Sequence, residues 1–267
     1  MNNKSIGIFD SGLGGLTAVK SVCDLMPNEN IVYFGDTGRL PYGTKTEETI
    51  KQYAVSDINF LLEHNVKMVV IACGTASSVA LDTVKQKFDL PIVGVVEAAS
   101  AAAVRKTKNK KIGVIGTSAT IKSQSYVNGI KKLDKDIEVY TNPCPLFVPL
   151  VENGHFNTEV TKLVVKEYLE PLKNAGVDTL ILGCTHYPLL QKAIGEYMGD
   201  SVSLVNVCAE LAASLADVLG DDNLAEERVG KCEYYVSDDV DGFSKLGGVF
   251  LEREINGQVM KIDIENY

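Results

Sequence analysis

The sequence predicts an α/β protein of two similar parallel-sheet domains, related by pseudo-twofold symmetry, with a cleft between them. Short apolar runs alternate with longer amphipathic stretches, the order of a parallel sheet covered by helices. The chain also repeats itself: IGIFDSG from position 6 and IGVIGTS from position 112 are both strands running into a Gly/Ser/Thr turn. Two further apolar runs each stop at a thiol, VIACGTASSV around Cys73 and ILGCTHYPLL around Cys184, at nearly the spacing of the first pair.

The elements follow in order. IGIFD (6–10), IVYFG (31–35), KMVVIA (67–72) and PIVGVV (91–96) read as buried strands. The stretch 46–64 reads as a helix with Ile50, Tyr53, Ile58, Leu61 and Leu62 on one broad face, and Asn65 suits its stop. Strands resume at KIGVIG (111–116), IEVY (137–140), DTLILG (178–183) and VSLVN (202–206). No Pro/Ser-rich linker separates the halves, and the proline-dense NPCPLFVP (142–149) reads as a crossing segment. The boundary is expected near residue 97, with a return near 207. One domain then comprises 1–96 plus 208–267, and the other 97–207.

Composition narrows the function classes. The chain has 267 residues, 45% hydrophobic and 23% charged, ordinary for a soluble globular protein. A net charge of −9 argues against a broad nucleic-acid surface. The basic run RKTKNKK (105–111) is expected to be a solvated helix end or turn. No apolar run approaches the ~20 residues of a membrane span, and MNNKSIGIFDSG lacks a secretory apolar region. A cytoplasmic protein is expected, with no nucleic-acid or membrane partner. The six cysteines contain no C-x-x-C pair, which disfavours a zinc site. Cys23, Cys144, Cys208 and Cys232 read as small buried hydrophobes.

The two strand-end thiols carry the chemistry. Ligands of open parallel sheets bind beyond the carboxyl ends of the strands, and Cys73 and Cys184 fall there. Thr75 and Thr185 follow them and can start helices, so each thiol is expected at a helix N-terminus with its pKa lowered. Backbone N–H groups there can hold a carboxylate. Two such turns facing each other would place a sulfur on either side of a small anionic substrate. One would take a proton from carbon and the other return one to the opposite face, inverting a stereocentre. Preorganised donors from Gly, Ser and Thr turns would stabilise the developing charge. No metal and no bound cofactor is demanded.

Other residues fit this picture less specifically. Asp10 and Ser11, in DSGLGG, point to the same sheet edge, although Asp10 also reads as a simple helix cap. The GLGG loop is not the G-x-G-x-x-G of dinucleotide binding, which disfavours a nicotinamide oxidoreductase. Pro41, Tyr42 and Gly43 form either part of a cleft wall or a surface turn. His186 shares the turn of Cys184, and Glu152 could polarise it or a substrate ammonium.

At these residues the sequence closely resembles the cofactor-independent glutamate racemases. The matching segments are IGIFDSGLGGLT, YFGDTGRLPYG, VIACGTAS, GVIGTSAT, CPLFVPLVE and LGCTHYPLL, which together span positions 6 to 190. The resemblance implies two α/β domains with glutamate in the cleft and Cys73 and Cys184 as the acid/base pair. It implies Asp10 assisting near Cys73, His186 near Cys184, and Glu152 as a supporting carboxylate. The resemblance also sets Asp10, Ser11, Pro41, Tyr42, Gly43, Gly74, Thr75, Thr117, Thr120, Thr185 and His186 at substrate-binding positions. It further implies D-glutamate supply for peptidoglycan, and a homodimer. One departure stands out. Many members carry Asn after the first cysteine, where Gly74 offers only its backbone. Aspartate racemases resemble the chain in fold and in both cysteines, but their second motif typically continues C-T-E rather than C-T-H. A two-lobed binding protein without catalysis would share the architecture, yet would need no thiol on both strand ends.

Overall fold

The computed structural model describes residues 4–220, 224–225, 229–255 and 259–267; the first three residues of the N-terminal stretch lie outside these. Two parallel sheets organise the chain. The first contains β1 (Ser5–Asp10), β2 (Ile31–Gly35), β3 (Val66–Ile71), β4 (Ile92–Gly94), β9 (Cys232–Val236) and β10 (Val259–Lys261). Its order is β10-β9-β2-β1-β3-β4. The second contains β5 (Lys111–Gly116), β6 (Glu138–Pro143), β7 (Thr179–Leu182) and β8 (Ser203–Asn206), ordered β6-β5-β7-β8. The order of the first four strands thus recurs in the second four, and each cysteine follows the third strand of its set.

The alternation of side chains along the strands builds two apolar layers on the first sheet. Ile6, Ile8, Ile31, Tyr33, Met68 and Val70 face α1 (Leu16–Leu25), which contributes Leu16, Val19 and Val22. Phe9, Val32, Phe34, Val69 and Ile71 face α2 (Glu47–Leu62) and α3 (Gly74–Lys87). The Thr46 hydroxyl caps α2 by accepting from the Thr49 N–H at 3.3 Å. Asn65 takes the left-handed φ of 51° just beyond the helix. Leu62, expected on the apolar face, is exposed, and Ala54 and Phe60 are buried instead.

The chain passes between sheets twice, outward through α4 (Val95–Lys106) and back through α10 (Val207–Leu219). These helices pack on each other, α4 also against β7 and β8 and α10 against α1. The layer under α1 therefore continues without a break into the second sheet's core of Ile112, Val114, Leu180 and Leu182. The fourth strand is shorter than the sequence suggested. Val95 and Val96 already lie in α4, because the alanine-rich run behind them favours helix over their own β preference. The strands β9 and β10 were not anticipated. The proline-dense segment does not cross between the sheets. It ends β6 and enters α7 (Phe147–Glu152). The basic run turns into β5 on Asp178, whose carboxylate accepts from the Thr107 hydroxyl and the N–H groups of Lys108 and Asn109. Among the described residues no helix is long and apolar enough to cross a membrane.

Leu180 is fully buried at the centre of the second sheet. Leu180→Ala is expected to destabilise the protein by about 2–5 kcal/mol through lost burial and a residual cavity, read as a lower urea midpoint.

Candidate active site

In each sheet the order reverses direction between its first and third strands, and the crevice at such a switch point lies beyond the strands' carboxyl ends. Asp10 and Cys73 flank it in the first sheet. Thr117 and Cys184 flank it in the second. The two crevices open onto one cavity of about 410 Å³. Its wall includes Ser11, Pro41, Tyr42, Gly43, Cys73, Gly74, Thr75, Thr117, Glu152, Cys184, Thr185 and His186.

The first thiol is held by its helix. Cys73 is the N-cap of α3, where its sulfur accepts from the Ala76 N–H at 3.4 Å and donates toward the Ser11 hydroxyl at 3.7 Å. The second is held differently from the sequence expectation. No α-helix starts at Thr185. Residues 184–186 form a turn leading into a 3₁₀ turn at Tyr187–Leu190, and only then α9 (Gln191–Met198). The Cys184 sulfur lies 3.9 Å from Nδ1 of His186, and Nε2 of that ring lies 3.2 Å from the Glu152 carboxylate. Glu152, from the end of α7, thus orients an imidazole that faces the thiol.

Side chains also bridge the lobes. The Thr75 and Thr117 hydroxyls meet at 2.9 Å, and the Thr185 hydroxyl donates to Asp10 at 3.4 Å. Asp10 is buried beneath the wall rather than on it, and also accepts from the Gly12 N–H at 3.0 Å. Thr120 is not on the cavity wall either. It is buried behind Thr117, whose hydroxyl it meets at 3.0 Å, and supports that residue's cap. The Tyr42 hydroxyl turns away from the cavity toward the buried carboxylates of Asp36 and Asp57, so only the rest of the residue faces a ligand.

Three glycines of the first lobe touch the second where no Cβ would fit. A Cβ at Gly14 would lie 2.2 Å from the Thr185 hydroxyl, and one at Gly43 would lie 2.9 Å from Thr117 Cβ. At Gly74 it would lie 2.3 Å from the backbone oxygen of Gly183, next to Cys184. The sequence marked Gly74 for a missing side chain; the structure gives the glycine a packing reason of its own.

Burial reverses the expected acidity of both thiols. Cys73 is pushed up to about 12, chiefly by burial and then by the nearby Asp10, against the Ala76 N–H of α3 and Ser11, which lower it. Burial also pushes Cys184 well up, with Cys73 and Asp10 adding to it. Burial likewise raises Asp10, although His186 opposes the shift. Both thiols are therefore neutral near pH 7. The sequence reading had not placed Leu40, Thr44, Ser118, Pro145, Val148 and Pro149 on the wall. The segment holding Pro145, Val148 and Pro149 had been noticed, but read as a crossing.

A protein of paired parallel α/β lobes, each presenting a thiol to a shared cleft, is the class that fold and site define. The chain belongs to the Asp/Glu/hydantoin racemase family, whose model matches residues 19–215. It is 44% identical over 264 residues to the glutamate racemase of Geobacter metallireducens, covering 98% of this chain and 97% of that one. The glutamate racemase of Francisella tularensis, solved in complex with D-glutamate, superposes with a TM-score of 0.93 at 36% identity over 100% of both chains. An aspartate racemase homologue of Pyrococcus horikoshii reaches a TM-score of 0.60 at 17% identity, over 80% of this chain and 98% of its own, and shares the fold alone.

Two outcomes follow from this geometry. Gly74→Ala must move α3 away from the Gly183 carbonyl, and a displacement near 1 Å can cost ~10²-fold in rate. Turnover should fall about that much while circular dichroism stays unchanged; unaltered turnover would remove the spacing role. The thiol acidities predict slow alkylation by iodoacetamide at pH 7. A raised pKa keeps the thiol neutral there, and the thiolate fraction grows about tenfold per pH unit until the pKa is reached. Modification of Cys73, followed by mass spectrometry in the empty protein, should still be accelerating at pH 10. A plateau near neutrality would contradict the burial argument.

Proposed function

We propose that this chain is a glutamate racemase that interconverts L- and D-glutamate by proton transfer between Cys73 and Cys184. The observation that carries this reading is the shared cavity with one thiol from each lobe on its wall. A thiolate on one side takes the α-proton, and the neutral thiol opposite delivers its own to the other face. The direction of turnover decides which sulfur begins charged. Burial disfavours either thiolate, so the substrate's ammonium supplies the countercharge that makes one accessible.

The remaining residues divide the work by position. His186, oriented by Glu152, faces the Cys184 sulfur and assists its proton exchange. Asp10 serves the same end near Cys73, at the end of β1 and next to Ser11, whose hydroxyl meets that sulfur. Hydroxyls and turn N–H groups of Ser11, Gly43, Gly74, Thr75, Thr117 and Thr185 receive the two carboxylates and stabilise the charge that develops at the α-carbon. The apolar part of the wall, Leu40, Pro41, Pro145, Val148 and Pro149, excludes water from the reacting carbon. The reading makes the protein a cytoplasmic homodimer that supplies D-glutamate for peptidoglycan. Glutamate is favoured over aspartate by His186 in the C-T-H motif and by near full-length similarity to glutamate racemases.

L-glutamate and L-aspartate assayed in parallel in deuterated water test the reading. Inversion with solvent deuterium at the α-carbon of glutamate is expected, with little turnover of aspartate; preference for aspartate would end the glutamate assignment. Cys73→Ser and Cys184→Ser should each lower racemisation by roughly 10²–10⁴-fold or more with the fold intact. Full activity in either would leave a binding protein as the better account.

A further inference from the structure

Two cysteines outside the cleft stand in contact. Cys23 lies near the end of α1 and Cys232 opens β9. They are 209 positions apart in the chain, yet their sulfurs are 3.6 Å apart. Both side chains are half-buried, whereas Cys73, Cys144, Cys184 and Cys208 are buried. Arg253, just beyond α11 (Val240–Leu251), completes the group with a positive charge that acts on Cys23.

The three residues divide into the parts that thiol exchange needs. Cys23 is lowered to about 6, first by the hydrogen bond from Cys232 and then, against burial, by Arg253. Cys232 is pushed up, first by its partner and then by burial. Of the two touching sulfurs, Cys23 is thus the readier to ionise and Cys232 the readier to keep its proton. Burial pushes up Cys144 and Cys208, as it does the cleft thiols. A partly exposed thiolate beside a second thiol and a guanidinium is the setting in which cysteine oxidation is selective.

We propose that Cys23 and Cys232 form a reversible disulfide, a thiol-oxidation site separate from the cleft. The oxidant is a low-molecular-weight disulfide. The Cys23 thiolate attacks one of its sulfurs, forming a mixed disulfide and releasing one small thiolate, which takes up a proton. Cys232 then loses its proton and attacks the Cys23 sulfur, forming the protein disulfide and releasing the second small thiol. Two protein thiols are oxidised and one small disulfide is reduced to two thiols; excess small thiol drives both steps backward. In a reducing compartment such a bond is transient rather than a structural staple.

The test uses the full chain, reduced, freed of reductant and equilibrated with glutathione disulfide near pH 7.5. Acid quenching, maleimide labelling and peptide mass spectrometry then read every cysteine. The expected product is a Cys23–Cys232 cross-linked peptide that dithiothreitol returns to two thiols. In Cys232→Ser the same treatment should leave Cys23 as a persistent glutathione adduct, because nothing resolves it. Wild-type protein in which both residues still label, or in which Cys23 carries only glutathione, would overturn the proposal.

Discussion

Contact between the lobes at three glycines is the constraint on which the site depends. Gly14, Gly43 and Gly74 each place backbone against atoms of the opposite lobe where a single methyl group would collide. Their neighbours are the residues that matter: Thr185 and His186, Thr117, and Gly183 beside Cys184. The contact at Gly74 is the firmest of the three, since it meets a backbone carbonyl, which unlike the side chains at the other two cannot change rotamer. The hydroxyl pairs Thr75–Thr117 and Thr185–Asp10 then fix the sideways register of surfaces already at their limiting approach.

That closeness explains the electrostatics. Burial raises the proton affinity of both thiols, with Asp10 adding to each and Cys73 adding to Cys184. Helix α3 offers the Cys73 sulfur an N–H, but one partial charge does not offset the loss of solvent. Burial thus keeps both sulfurs protonated near neutral pH. The half-buried thiol of Cys23 has the opposite character, because the hydrogen bond from Cys232, and after it Arg253, favours its charged form.

Much of this was legible in the chain. Near-continuous apolar runs gave the parallel strands, and the repeated strand-turn units of IGIFDSG and IGVIGTS anticipated the recurring strand order. The strand-end positions of Cys73 and Cys184 were enough to direct both toward the cleft. Three kinds of information were not local. The acidity of the thiols depends on burial by the other lobe, so a helix-terminus argument pointed the wrong way. The cavity wall at Pro145, Val148 and Pro149 comes from a segment whose prolines suggested a crossing, although Pro143 only ends a strand and Pro149 lies inside a short helix. The Cys23–Cys232 contact joins residues from opposite ends of the sequence through β9, a strand whose mixed polar and aromatic run carries no clear alternation.

The placement of β9 beside β2 has a consequence for how the protein is made. Ile31 to Gly35 pair with Cys232 to Val236, strand against strand. On the ribosome, β2 therefore emerges long before its outer neighbour, and the whole second sheet is synthesised in the interval. At about 5–20 residues per second the wait is on the order of ten to forty seconds. Throughout it the nascent first lobe carries a bare apolar edge, the kind of surface that recruits stray strands. A strand synthesised long after its neighbour is thus the one that covers this edge of the first lobe.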